Sequence, residues 1–353
     1  MSAKKNQHYV PQSYLRLFSN DGKNIGVYHI NEDKIIPSAA ICNQVSEDFF
    51  YSKDIRIEED LDYMESKGML AFHKLINRPQ YKLHEVERIN IICYIVLQYG
   101  RTLKAVNKLE ASTNEYGMRL FKEFYGHNEI DPHLRYGFKE PGASALNIIC
   151  NCILGCCDLS YKVLEIDSNI VSHFITSDNP VCLFNPLFDM FGYKDAIALG
   201  QRGLCMLMAL TPRIVIVLFD HDVYKIGNRS SYSIIKQYSD INVINRIIAS
   251  SANEILIFNN RFSISYEIRS FAKKGFQESY VRTYNNSGPN LSFIHILDKA
   301  KLCNIDFTEE TLYRNYALYL HSHPEIKKQL EISMTSISED ERKEFYKYLK
   351  DRK

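Results

Sequence analysis

The chain has 353 residues, of which 45% are hydrophobic and 24% charged, the composition of an ordinary globular protein with room for one large domain or two intimate ones. Its formal net charge is +1, so no global field draws it to nucleic acid, and a nucleic-acid site would have to be a local patch. No apolar run reaches the roughly 18 residues of a membrane helix, and nine irregularly spaced cysteines favour reduced thiols, so we expect a cytoplasmic protein without a membrane partner.

The first 57 residues predict a small N-terminal β unit. An apolar run at 25–30, a polar turn and a second run at 34–36 have the pattern of a β-hairpin. The segment 48–51 closes this unit.

Residues 58–158 predict a helical layer. The spacing of the apolar residues predicts a helix from 58 to about 76, and Pro79 follows its end. A second helix, roughly 85–109, has no clear polar face in its middle, so we expect it to be buried and central. A third helix is predicted at 141–157.

Residues 159–300 predict the part of the fold that contains a mixed sheet. Several continuous apolar runs belong in the middle of a sheet, and the strand at 171–177 is expected to run back beside the strand at 161–166. The remaining predicted elements are strands at 205–210, 213–219 and 254–258, and a helix at 239–250.

The order of these parts, strands then helices then strands, predicts an α+β fold. We expect a single domain over residues 1–300. The segment 301–353 is predicted to be a C-terminal helical appendage, since its last part is helical in pattern and increasingly charged.

The first candidate site residue is Asp178, in the sequence Thr-Ser-Asp-Asn-Pro that ends the predicted strand at 171–177. A tight turn there would hold a carboxylate at the exposed edge of a buried sheet, where catalytic and binding groups tend to lie. The alternative is that Asp178 only caps its own turn.

The second candidate group lies on the helices. Gln98 and Arg101, at i and i+3, point to one side of the buried helix. A buried arginine needs a partner, and Glu65 or Asp178 would provide one. Such a group could bind Mg²⁺, activate water or hold a phosphate, or it could be a structural ion-pair network.

A third candidate is His8 with Gln12, near the N-terminus. A histidine there could act as a general acid or base or contact a phosphate. The alternative is a histidine that hydrogen-bonds locally and anchors the first segment.

Arg78 and His84 match R-x₅-H, the spacing of the catalytic motif of helical HEPN ribonucleases, which are metal-independent. The pattern is short, and Pro79 breaks the helix that such a motif usually occupies, so this remains a weaker alternative. The sequence has no P-loop, G-x-G-x-x-G or G-x-S-x-G motif, which argues against nucleotide-hydrolase, dinucleotide-cofactor and α/β-hydrolase chemistries.

Several short motifs between residue 8 and about residue 260 carry a family resemblance. They are His8-Tyr9-Val10-Pro11-Gln12-x-Tyr14-Leu15-x-x-Phe18, Phe50-Tyr51, Glu65, Gln98-x-x-Arg101, Thr176-Ser177-Asp178-Asn179-Pro180 and Thr211-Pro212-Arg213. Together they resemble the bacterial domain-of-unknown-function family 4238, some members of which are associated with phage defence. The resemblance implies a toxin-like effector of abortive infection that attacks nucleic acid.

These observations predict an antiviral defence effector that acts as a nuclease on RNA or DNA. His8 would be the acid or base, Arg101 would hold the phosphate, and Asp178 would be a base or, with Glu65, a Mg²⁺ ligand. The predicted substrate-binding residues are Gln12, Gln98 and Asn179. The alternative is a non-enzymatic sensor that recognises a phage protein or nucleic acid, and the oligomeric state is left open.

Overall fold

The structure, a computed structural model, describes residues 6–125, 133–190, 197–274, 284–285, 288–289 and 294–297 and the single positions 324 and 328. The helices within these residues are α1 (Gln12–Leu15), α2 (Ile55–Asn77), α3 (Glu85–Gly100), α4 (Leu103–Tyr125), α5 (Pro141–Cys152), α6 (Pro186–Met190), α7 (Tyr238–Ser251) and α8 (Tyr266–Lys274). The strands are β1 (Asn6–His8), β2 (Asn24–His29), β3 (Lys34–Ala40), β4 (Ser46–Asp48), β5 (Ser160–Ile166), β6 (Thr176–Ser177), β7 (Val181–Phe184), β8 (Cys205–Thr211), β9 (Ile214–Phe219), β10 (Tyr224–Ile226), β11 (Tyr232–Ile235), β12 (Ile255–Phe258), β13 (Tyr284–Asn285), β14 (Gly288–Pro289) and β15 (Ile294–Ile296).

Two sheets form the centre of the fold. The larger has the order β11-β5-β9-β8-β7, with β11 parallel to β5 and the other pairs antiparallel. All of β9 and all but the last residue of β8 are buried, as their continuous apolar sequences predict for the middle of a sheet. The smaller sheet is antiparallel, with the order β3-β2-β12-β6. This arrangement of helices and mixed sheets confirms the predicted α+β class.

The N-terminal hairpin is confirmed as β2 and β3, but it does not stand alone. Strand β12, more than 200 residues further along the chain, pairs with β2 and completes its sheet. The benzene ring of Phe258 on β12 lies directly over Gly26, where an added Cβ would clash with the ring at 2.3 Å. A glycine is therefore required at this crossing.

The predicted helix at 85–109 is wrong in one respect, because it is two helices. The chain turns at Arg101 and Thr102 between α3 and α4. The Thr102 hydroxyl accepts a hydrogen bond from the Ala105 amide at 3.3 Å, as a residue before a helix N-terminus does, and donates to Asn179 Oδ1 at 3.0 Å. The predicted burial of the first helix is confirmed, since α3 is buried from Ile91 to Gln98.

The strand predicted at 171–177 is also wrong: only Thr176–Ser177 is a strand, and it pairs with β12 instead of β5. The reason is that side chains satisfy the backbone of this segment. The guanidinium of Arg213 donates to the carbonyls of Ile170 at 2.9 Å and Ser172 at 3.3 Å, and the amide oxygen of Asn245 accepts from the Ile175 amide.

Some predictions lie beyond what the structure describes. The C-terminal helices fall almost entirely outside the described residues, so the division at residue 300 stays a prediction. Among the helices that are described, none combines the length and apolar character needed to cross a membrane. The described cysteines are all free thiols.

Candidate functional site

A cavity of about 340 Å³ lies between the N-terminal segment and α2. Four of the seven predicted site residues line it: His8, Gln12, Glu65 and Arg101. They come from β1, α1, α2 and the end of α3, so only the folded chain brings them together.

The position of His8 follows from local structure. Strand β1 pairs with β4, with His8 opposite Ser46, and the chain leaves the strand through Tyr9 and Val10, which are buried. Pro11, in an extended conformation, then starts α1. Gln12 is four residues from His8, and its side chain returns to the imidazole ring.

Hydrogen bonds indicate which nitrogen of the His8 ring donates and which accepts. Arg16 can only donate, and its guanidinium donates to Gln12 Oε1 at 2.9 Å, which leaves the Gln12 amide nitrogen facing His8. That nitrogen lies 2.8 Å from His8 Nε2 and must be the donor. The carbonyl of Gln44, 3.1 Å from His8 Nδ1, can only accept. These bonds favour the tautomer of His8 that is protonated at Nδ1 and accepts at Nε2.

Arg101 forms part of the floor of the cavity and is only 4% exposed. Its guanidinium donates to Glu65 Oε1 at 2.5 Å, to the Tyr51 hydroxyl at 2.9 Å and to the His8 carbonyl at 3.0 Å. Burial opposes the charge, but Tyr51 and Glu65 outweigh it and hold the pKa of Arg101 above its usual value. Of the two partners predicted for Arg101, Glu65 and Asp178, the structure shows Glu65.

Gln98 lies behind the cavity and is 1% exposed. Its amide nitrogen donates to the Tyr9 carbonyl at 3.0 Å, one residue from His8. Its Oε1 is buried without a hydrogen-bond partner among the described residues. Gln98 thus holds the backbone that carries His8, and it is placed to position the histidine instead of touching a ligand.

Asp178 lies outside the cavity lining and is 2% exposed. Its carboxylate accepts hydrogen bonds from three successive backbone amides, those of Asn253 at 2.9 Å, Glu254 at 2.7 Å and Ile255 at 3.2 Å. The first two amides lie in the connection from α7 to β12, and the third belongs to the first residue of β12. The carboxylate therefore fastens β6 to the start of β12, and both of its oxygens are engaged.

Asn179 also has its own partners. Its side-chain nitrogen donates to the carbonyl and the hydroxyl of Ser251, both at 2.9 Å, and its oxygen accepts from Thr102. It borders a smaller cavity of about 140 Å³ together with Lys104 and Lys108. Neither Asp178 nor Asn179 lines the cavity at His8.

The burial of the Asp178 carboxyl predicts that the free energy of unfolding depends on pH. Burial raises the pKa of Asp178 to about 6, even though the three amides lower it. In the folded protein the group thus keeps its proton at pH values where the unfolded carboxyl has lost it. Its stabilising contribution is fully present below about pH 4 and decreases as the pH rises through 6, by roughly 3 kcal/mol for a shift of this size.

Urea unfolding of the wild type and Asp178→Asn from about pH 4 to about pH 8 measures this contribution. The stability margin of the wild type over the variant is expected to shrink with rising pH. Asp60→Asn is the matched control, since Asp60 is exposed on α2, and its replacement should change the free energy of unfolding by less than about 0.5 kcal/mol at each pH. A margin for Asp178→Asn that grows with pH would show that the amides, and not burial, dominate.

The predicted Mg²⁺ pair, Glu65 and Asp178, is held by different partners, and only Glu65 lines the cavity. Across the described ranges there is no group of three or more His, Cys, Asp and Glu side chains arranged to hold a metal ion. Mg²⁺ binding stays a prediction.

Four further residues that line the cavity were not among the predicted site residues. They are Arg16, Tyr51, Glu58 and Asp62. Helical spacing carries a signal for three of them: Arg16 follows Gln12 by four residues, and Glu58, Asp62 and Glu65 fall at i, i+4 and i+7 on α2. Tyr51 lies in an irregular segment, where spacing gives no signal.

Arg78 and His84 of the R-x₅-H pattern lie at the two ends of the connection between α2 and α3. Both are exposed, and the backbone amide of His84 donates to Glu87 Oε2 at 2.8 Å at the start of α3. They lie outside the cavity lining.

Comparison with known proteins places the chain in a family. No curated protein and no solved structure matches the chain significantly. A family model described as protein of unknown function (DUF4238) matches residues 6–262, which include all seven predicted site residues. Since this match covers well over half of the sequence, the chain belongs to the DUF4238 family.

Proposed function

We propose that this protein is an effector of anti-phage defence that cleaves RNA or DNA as a phosphodiesterase, with the cavity at His8 as its active site. The observation that carries the proposal is that His8 lines a cavity and that its Nε2 is a hydrogen-bond acceptor. An imidazole whose ring nitrogen can accept a proton is the commonest general base in enzymes.

Gln12 supports this role in two ways. It holds the ring in one orientation, and its amide occupies the position that a reacting hydroxyl would take, 2.8 Å from Nε2. A substrate hydroxyl that displaces this amide would meet the lone pair at hydrogen-bond distance, as general-base catalysis requires.

In this proposal Arg16 binds the phosphate of the substrate. The charge of Arg101 is already balanced by Glu65, and three of its N–H groups are engaged by protein atoms. Arg16 is exposed, and its guanidinium donates to Gln12 Oε1, so the remaining N–H groups of this planar side chain can reach a phosphate. Arg101 then positions Tyr51 and the His8 backbone.

The defence role is suggested by the resemblance of the sequence motifs alone, since the matching family model is described as a protein of unknown function. It is compatible with a second candidate function, a non-enzymatic sensor of a phage protein or nucleic acid. The observation that favours the sensor is that Arg101 and Asp178 are buried with protein partners, as residues of a structural polar core are.

The test compares cells that express the wild type, His8→Asn or His73→Ala, with and without phage. The asparagine amide can replace His8 Nδ1 as donor to Gln44 but cannot act as a base, and His73 is an exposed histidine of α2 outside the cavity. We expect the wild type and His73→Ala to protect and to degrade RNA or DNA on gels of total nucleic acid, and His8→Asn to do neither. Protection by soluble His8→Asn would support the sensor.

A further inference from the structure

The α2 side of the cavity is acidic. Among the lining residues that the structure describes, Glu58, Asp62 and Glu65 lie on one face of the helix, and the cations are Arg16 and Arg101. With His8 neutral, the described lining has a formal charge of −1. A cavity built only to hold phosphates would have the opposite balance, so a second feature of the substrate must suit these carboxylates.

Ribose hydroxyls are such a feature. An ionised carboxylate only accepts hydrogen bonds, and a 2′-hydroxyl donates one, as it does to the acidic residue of many nucleotide-binding sites. Deoxyribose lacks this donor, so an acidic wall gains nothing from DNA and repels its phosphates. The 2′-hydroxyl is the group through which proteins distinguish RNA from DNA.

We infer that the substrate is single-stranded RNA and that His8 activates its 2′-hydroxyl; this inference rests on the proposed phosphodiesterase. His8 Nε2 takes the 2′-hydroxyl proton, the 2′-oxygen forms a bond to the adjacent phosphorus, and the bond from phosphorus to the 5′-oxygen breaks. The departing 5′-oxygen takes a proton from solvent. The products are a 2′,3′-cyclic phosphate and a 5′-hydroxyl, and the attacking group belongs to the substrate.

The geometry of the cavity agrees with this assignment. The reaction requires the removal of one proton, that of the 2′-hydroxyl, and Nε2 of His8 is an acceptor that can take it. The carboxylates of Glu58 and Asp62 line the same cavity and suit the sugar, and Arg16 is the exposed cation for the phosphate. A volume of about 340 Å³ is at the small end of ligand pockets, which suits one splayed nucleotide instead of a duplex.

The test uses purified full-length protein and three end-labelled oligonucleotides of one sequence: RNA, DNA and 2′-O-methyl RNA. We expect RNA alone to be cleaved, because DNA and 2′-O-methyl RNA lack the hydroxyl that attacks the phosphorus. Mass spectrometry should find 2′,3′-cyclic phosphate ends. Asp62→Asn, a change at an exposed position, should slow RNA cleavage about 10-fold and leave the free energy of unfolding unchanged.

The outcomes separate the two proposals. Comparable cleavage of DNA or 2′-O-methyl RNA, or RNA products that end in a 3′-hydroxyl and a 5′-phosphate, would overturn the RNA inference and leave a phosphodiesterase. If the folded wild type cleaves none of the three, the proposed function itself fails. Cleavage of RNA alone that His8→Asn retains would overturn the assignment of the base.

Discussion

Replacing Arg101 by methionine is expected to lower the free energy of unfolding by about 3 kcal/mol or more. The substitution keeps an unbranched side chain of similar length but removes the partner of the Glu65 carboxylate, whose side chain is only 18% exposed. It also removes the donors to the Tyr51 hydroxyl and the His8 carbonyl. Leaving one member of a buried ion pair without its partner is far more costly than breaking a surface pair.

Urea unfolding of the full chain measures this loss, and Arg119→Met is the matched control. Arg119 pairs with Glu123 at 3.6 Å, and the two side chains are 74% and 60% exposed, so its replacement should change the free energy of unfolding by less than about 0.5 kcal/mol. The double variant Arg101→Met, Glu65→Gln should recover part of the loss, because it removes the unpaired charge. Equal effects of Arg101→Met and Arg119→Met would show that this network does not hold the cavity floor.

Replacing His8 by asparagine is expected to reduce the rate of nucleic-acid cleavage by about 10²- to 10⁴-fold. The variant loses the lone pair at Nε2, whereas the asparagine amide can still donate to the Gln44 carbonyl that now accepts from Nδ1. The pairing of β1 with β4 should therefore survive, with a change in the free energy of unfolding of no more than about 1 kcal/mol.

Initial cleavage rates of purified wild type, His8→Asn and His73→Ala measure this effect, together with the unfolding curve of each protein. His73→Ala should cleave at the wild-type rate, since the residue is exposed on α2 and outside the cavity lining. A folded His8→Asn protein that cleaves as fast as His73→Ala would remove His8 from the chemistry.

The elements that sequence predicted best are those whose pattern is set by local burial. The continuous apolar runs of β8 and β9 predict strands that are covered on both faces of a sheet. The apolar residues of α2 recur at helical spacing and predict a helix that is buried along one face. The segment 171–177 has equally strong β propensity. Its backbone is nevertheless bonded by Arg213 and Asn245, and no local pattern shows that distant side chains will satisfy it.

The same distinction holds at the candidate site. That Arg101 would need a partner followed from the cost of a buried charge, and Glu65 supplies it. The engagement of Asp178 could not be predicted, because its donors are backbone amides some 75 residues further along the chain, and every residue other than proline carries such a donor. The roles of Arg16 and Asp62 depend on which helix faces border the cavity, which is a property of the tertiary fold.

Both the proposed nuclease activity and the proposed activation of a 2′-hydroxyl need a lone pair at Nε2 of His8. Measuring which ring nitrogen of His8 carries the proton therefore tests both proposals. Nitrogen NMR of histidine-labelled full-length protein reports the protonation of each ring nitrogen, and the signals absent from His8→Asn identify this ring. We expect a neutral ring at pH 7, protonated at Nδ1 and unprotonated at Nε2, in agreement with the bonds to Gln44 and Gln12. A ring protonated at Nε2, or at both nitrogens, would contradict both proposals.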